Sequence, residues 1–329
     1  MFRMRRKFWL CAISGVVGFA LLGSASAQER YPSRPIKLVV ALGPGAGADA
    51  LARFLAADPL RRELQTEIIV ENKACAGGVV GGEFLAKSKP DGYTLALLHA
   101  SVVTTVTVVN PNVSYDSIRD FTPVANLVTN PLAVVVSAGS RWNSLEQLLD
   151  DARAAPGKIS CGIIGVGSHT HFNLELLKIG SGANINRVPF AGGTGPIITA
   201  LLGGHIDCTS LVWPAVDGNV RAGKFRALAV TSPLKDFPQV PTFASKGYPQ
   251  TSLEVFFAIF GPANLPQDVM AKLVPAFANV MKDPNNLDRL EKMGFSILYE
   301  GPQQLGDRVK HELEVVRDVA RKAGIKQDQ

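Results

Sequence analysis

The chain has 329 residues, 47% of them apolar and 19% charged, with a formal charge of +6. That length exceeds what one core usually organises, so two domains are expected, and the apolar share excludes an intrinsically disordered chain. The charge does not point to nucleic acid, because four of its basic residues fall in the first seven positions and no Lys/Arg stripe follows.

Those four residues, Arg3, Arg5, Arg6 and Lys7, precede an apolar run from Phe8 to Leu22 and small residues ending Ala25-Ser26-Ala27. This is the three-part layout of a cleavable secretory signal. The apolar run, about 15 residues, is short of the roughly 20 that a spanning helix needs. Cleavage after Ala27 removes four positive and no negative charges, so +6 becomes +2 on an exported chain. Cys11 lies inside the apolar run, which argues against a lipoprotein. Cys75, Cys161 and Cys208 remain, an odd set with neither zinc nor C-x-x-C spacing. They read as small, partly buried thiols, with one disulfide plus a free thiol as the alternative.

Strand and helix signals then alternate. Residues 36–41 (IKLVVA) form a continuous apolar run, as in a strand covered on both faces. A Gly-rich turn leads to a helix over 49–57, with Asp49 as its expected N-cap. Strands are expected at 67–70 and 93–98, with a Gly-rich bend at 77–82 and a short helix near 83–87 between them. Further on, 159–164 reads as a strand, 165–168 as a loop and 169–179 as a helix. The order repeats through 188–190, 191–195 and a helix from Pro196 to Leu202. Residues 206–211 and 226–230 are further strands. Val269, Leu273, Phe277 and Val280 mark one helical core stripe, and Leu305, Val309, Leu313 and Val316 another. Such alternation predicts an α/β protein with mainly parallel sheets. Extended segments at 124–136 and 254–262 interrupt it and read as two passages between domains. The predicted division is 28–130 plus 256–329 for a discontinuous first domain and 131–255 for an inserted second one.

The most informative segment is Gly43-Pro44-Gly45-Ala46-Gly47-Ala48-Asp49, between a strand and a helix. Glycines there admit close approach of backbone N–H groups, and the helix start adds partial positive charge, which suits an anion. His99-Ala100-Ser101, 165–170 and 191–195 are expected to be loops of the same kind. None of these stretches contains Lys or Arg. Backbone amides, helix dipoles and hydroxyls from Ser101, Ser168 or Thr170 would therefore neutralise an anion, which favours reversible capture over catalysis. Ser168-His169 is not a triad and G-x-S-x-G is absent. His169-x-His171 would suit a metal on a strand but diverges at a helix start, so no metal and no cofactor is expected. Gly45-x-Gly47-x-x-Ala50 with Glu71 fits a loose dinucleotide fingerprint, leaving an NAD-dependent oxidoreductase as the competing class. Pro44 and export argue against it.

Several blocks carry a family resemblance: YPSRPIKLVV, the turn ending in Asp49, ENKACAGGVVGGEFLAKSKPDGYTLALL, SYDSIRDFTPVANLV, LLGGHIDC, RAGKFRALAVTS and VPTFASKGYP. In this order, from Tyr31 to about Gly324, the chain resembles the Bug-type periplasmic receptors of tripartite tricarboxylate transporters. The resemblance implies a two-domain Venus-flytrap fold of the type II-like periplasmic-binding-protein class. It implies a non-enzymatic receptor, monomeric, that captures a small organic carboxylate and hands it to membrane permease subunits. A sensor protein in place of the permease is the alternative partner. By position, Leu42, Ala46, Gly47, Ala48, Asp49, Ala100 and Ser101 would line one wall of the cleft. Gly167, Ser168, His169, Gly192 and Leu211 would line the other.

The chain departs from the family's pattern where an aromatic and two prolines are replaced by Leu42-Gly43-Pro44, and a threonine by Ala48. Leu211 and Val212 stand where family members often carry Asp or Asn types. These changes imply a more apolar pocket that disfavours ligands with an ammonium group.

Overall fold

The computed structural model describes residues 31–325 except 192. The expected signal segment lies outside these residues. The strands are β1 (Ile36–Val40), β2 (Ile68–Asn72), β3 (Thr94–His99), β4 (Phe121–Asn130), β5 (Leu132–Ser137), β6 (Ser160–Ile163), β7 (Asn186–Pro189), β8 (Cys208–Val212), β9 (Phe225–Val230), β10 (Val255–Pro262) and β11 (Ser296–Glu300). They form two sheets, ordered β11-β4-β10-β3-β1-β2 and β7-β6-β8-β5-β9. The first sheet draws on both ends of the described chain, the second only on its middle, and helices flank both.

β1 shows why the apolar runs do not alternate. Ile36, Leu38 and Val40 pack with the helix Gly47–Ala57 on one face, while Val39 packs on the other with Leu305, Val309 and Leu313. A strand buried on both faces takes apolar side chains nearly throughout, and in β1 only the half-buried Lys37 departs from this. β5 behaves alike, with Val134 and Val136 on one face and Ala133 and Val135 on the other. Within the first sheet β1, β2 and β3 are parallel, as the alternation predicts, whereas β10 runs antiparallel to β3 and β4, and β11 antiparallel to β4. In the second, β6 is parallel to β7 and β8, and β5 is antiparallel to β8 and β9.

The segments 124–136 and 254–262, expected as passages between domains, are also antiparallel strands. Both are buried sheet strands, and the first crossing is a single residue, Pro131, between β4 and β5. The return path lies between β9 and β10. Glu254 joins the two crossings: it is buried, and its carboxylate accepts hydrogen bonds from the hydroxyls of Thr129 (2.9 Å) and Thr231 (3.1 Å). Thr231 in turn accepts the Leu132 amide at 3.0 Å.

Both helical stripes are buried, but the second divides. Leu305, Val309 and Leu313 pack on the first sheet, whereas Val316, on the same helix Pro302–Ala323, joins Val319, Phe172 and Leu176 in a seam against the helix His169–Ser181.

Candidate functional site

The parallel strands bring the carboxyl ends of β1 and β3 side by side, with Val40 paired to Leu97. The segment 42–49 leaves β1 there and turns into the helix Gly47–Ala57. Asp49 is not its N-cap. Ala46 holds that place with extended backbone and no side-chain bond, so Asp49 falls in the first turn. From there its carboxylate reaches backward and accepts from Gly45 N (2.9 Å), Arg53 Nε (3.0 Å) and Asn72 Nδ2 (2.9 Å). Asn72 also donates to the Leu42 carbonyl at 3.0 Å. The Arg53 guanidinium, then the Gly45 amide, hold the Asp49 carboxyl down at about 2. Asp49 is thus a buried scaffold for the turn, and Arg53 and Asn72 are working residues that the sequence reading missed. Arg53 had a signal, its four-residue spacing from Asp49 on one helix face. Asn72 had none until β2 paired with β1.

Leu42 and Ala46 are half-buried, Ala48 is buried and Gly47 is exposed. Phe295 lies against Gly47, 3.7 Å from where a Cβ would stand. Pro214, from the helix Trp213–Arg221, lies 3.5 Å from the corresponding position of Gly294. A cavity of about 370 Å³ opens beside this contact, lined by Trp213, Pro214, Arg221, Phe237 and Phe295 among others.

The expected loop at His99-Ala100-Ser101 is instead the end of β3 followed by a short helix, Ala100–Val103. Ala100 is fully buried; Ser101 is half-buried and meets the second wall. The His99 imidazole is kept neutral, pushed down to about 4 by burial and then by neighbouring His169.

The second wall is a self-bonded loop between β6 and the helix His169–Ser181. Ser168 caps that helix by accepting the His171 amide at 3.2 Å. Thr170 Oγ1 accepts the Ile164 amide at 3.0 Å, and His171 Nδ1 accepts the Gly167 amide at 3.1 Å. Gly167 has φ +82° and packs on Val109, whose Cγ2 would lie 2.8 Å from a Cβ at that position. His169 and His171 diverge: one faces Ser101, the other turns back onto its own loop. Among the described residues no group of three or more His, Cys, Asp or Glu side chains stands together as metal ligands.

Gly192 lies outside the described residues, and the helix Thr194–Leu202 follows it. Leu211 is fully buried in the core cluster with Ile197, Trp213 and Val216, so its side chain does not face the cleft. Its half-buried neighbour Val212 stands at the N-cap position of the next helix, without a side-chain bond, and carries what is left of that departure from the family pattern. The structure therefore brings together the 42–49 turn, the end of β3 and the 165–170 loop. It sends Leu211 into the core.

Two other sequence readings meet their surroundings here. Glu71 is paired with Lys37 and Lys73, each at 2.6 Å, so the acid of the dinucleotide fingerprint is already engaged. Cys75 is exposed rather than partly buried, while Cys161 and Cys208 are buried neighbours in register on β6 and β8; all three are free.

A family model described as tripartite tricarboxylate transporter family receptor matches residues 51–325. The BugT protein of Bordetella pertussis is 31% identical over 321 residues, covering 96% of this chain and 98% of that protein. A Rhodopseudomonas palustris protein solved with adipate has 28% identity and a TM-score of 0.76, over 90% of this chain and 99% of that one. MatC from the same organism, solved with bound malate, has 26% identity and a TM-score of 0.71, over 88% and 99% of the two chains. No helix among the described residues is long and apolar enough to cross a membrane.

Proposed function

This chain belongs to the tripartite tricarboxylate transporter receptor family, and we propose that it closes on a small organic carboxylate between its two lobes and delivers it to a membrane permease. The observation that carries this reading is the helix start at Ala46. It has no side-chain cap, and its one first-turn acid, Asp49, is turned back onto Gly45. A helix start left in that state carries about half a positive charge and is a ready carboxylate cradle. The similar proteins solved with adipate and malate support the same ligand class.

In this reading Leu42, Ala46, Gly47 and Ser101 form the ligand face of the first wall, backed by the buried Ala48 and Ala100, with Asp49 as its scaffold. The loop Gly167-Ser168, together with Val212, closes from the second lobe. The first lobe is 28–130 plus 256–329 and the second 131–255, hinged where Glu254 ties the crossings together. The receptor is exported by cleavage after Ala27 and works as a monomer. The half-buried Val212 and buried Ala48 offer an ammonium group no partner, so amino acids are poor ligands.

A thermal-shift panel of malate, adipate, benzoate, phenylacetate and free amino acids tests this. A ligand at 100 times its dissociation constant adds about 2.7 kcal/mol of stability. Carboxylates should raise the melting temperature and amino acids should not. A flat response to every carboxylate would sink the proposal.

A further inference from the structure

We propose that His169 is a latch between the lobes, a positioning residue that holds the cleft closed by partnering Glu312 and Ser101 rather than by touching ligand. This rests on the receptor reading above and assigns the closing contact within it.

His169 opens the helix His169–Ser181 of the second lobe and is 1% exposed. Three groups of the first lobe surround its imidazole. Nδ1 is 2.9 Å from Ser101 Oγ, and Nε2 is 3.5 Å from both Thr104 Oγ1 and Glu312 Oε2. Hydrogen-bonding roles follow from the donor inventory. The Thr104 hydroxyl already donates to the Ala100 carbonyl at 2.8 Å, and an ionised Glu312 only accepts. With a hydrogen on Nε2 the ring can donate toward Glu312 and Thr104 while Nδ1 accepts from Ser101.

Glu312 has the complementary need. It is 5% exposed, and its other charged neighbour, Arg308, gives Nε and Nη2 to Glu300 at 2.7 and 2.6 Å and turns only Nη1, 3.7 Å away, toward Glu312. A buried carboxylate without donors is costly, so His169 and Glu312 make each other's burial tolerable. In an open receptor water would serve both. The interaction thus acts on the closed form alone.

The surroundings agree. Along one helix His169, Phe172 and Leu176 share a face by their spacing, and along the other Glu312, Val316 and Val319 do. The four apolar members form one seam, so the latch is the polar end of an apolar closure. Gly167 packed on Val109 lies at the same border.

The test reads closure directly. In a Cys75→Ser background, spin labels at the exposed Lys158 and Lys272 report the distance between lobes, and calorimetry with adipate and malate reports affinity. His169→Leu should raise the open population and weaken binding about tenfold, because it leaves Glu312 buried without its donor. His169→Gln, which both donates and accepts, should restore closure. So should the double variant His169→Leu/Glu312→Leu, where no buried charge remains. A merely structural role would not give that reciprocal rescue. His169→Leu as closed as the parent, or a double variant no more closed than His169→Leu, would overturn the latch. If His169→Leu does not fold, Glu312→Leu alone must open the lobes by taking the carboxylate from His169 Nε2. If the parent binds neither adipate nor malate, the labels still decide the latch, and it is the carboxylate reading that fails.

Discussion

The two walls of the cleft share one plan, strand, glycine-bearing loop, helix, yet handle their polar groups in opposite ways. In the second wall Ser168, Thr170 and His171 take up the amides of His171, Ile164 and Gly167, so the loop is bonded to itself. In the first, the Asp49 carboxylate reaches back past the N-cap alanine to the Gly45 amide and is also held by Arg53 and Asn72, so it caps no first-turn amide. A capped helix start has its partial charge answered by the protein; an uncapped one leaves it to whatever enters. In the proposed reading the anion therefore belongs mainly to the first wall, and the second serves shape and closure.

The largest expected effect follows from removing the scaffold of the first wall. Asp49→Ala removes the acceptor shared by three donors and should cost about 3 kcal/mol in urea unfolding, roughly one for each, with loss of binding of any carboxylate that the thermal-shift panel identifies. The same carboxylate gives a pH signature. Its folded pKa, about 2, lies below the ordinary 3.8, so its stabilisation is present above about pH 4 and is lost as pH falls through about 2. Asp49→Asn should flatten that part of the stability curve; an unchanged acid limb would show the scaffold to be unimportant. In the second wall Gly167→Ala forces an L side chain to φ +82° and against Val109. It should cost about 2 kcal/mol in the same assay and hold the walls apart, seen as weaker adipate binding. Stability equal to the parent would mean that this loop can relax.

The architecture was legible where one period governs a segment. The runs at 36–41 and 159–164 and the stripe Val269-Leu273-Phe277-Val280 needed only the knowledge that both faces of a strand, or one face of a helix, are covered. What was missed depends on a single position or on distant pairing. Asp49 fits equally well as an N-cap or in the first turn, and only the extended backbone at Ala46 decides. Leu211 and Val212 sit on opposite faces of β8, so a one-residue slip in parity exchanges core for cleft. Asn72 and Glu312 come to the site through strand pairing and helix docking across 23 and 143 residues, which no local pattern encodes. β11 is half-buried throughout and carries no clear alternation.

Two smaller changes test whether capping alone separates the walls. Ser168→Ala removes the cap of the second helix and should cost about 1 kcal/mol, while weakening adipate less than Asp49→Ala does; the reverse order would move the anion to the second wall. Ala46→Ser does the opposite to the first. Residue 46 already has the extended backbone of a capping residue, φ −70° and ψ 159°, so a serine hydroxyl there can accept a first-turn amide without rearrangement. The helix should gain about 0.5 kcal/mol in thermal unfolding. The carboxylate then competes with a built-in acceptor for the same amides, and calorimetry should show adipate affinity falling about threefold. A stability gain with affinity intact would mean that the ligand does not use this helix start, and with it would go the distinction between the two walls.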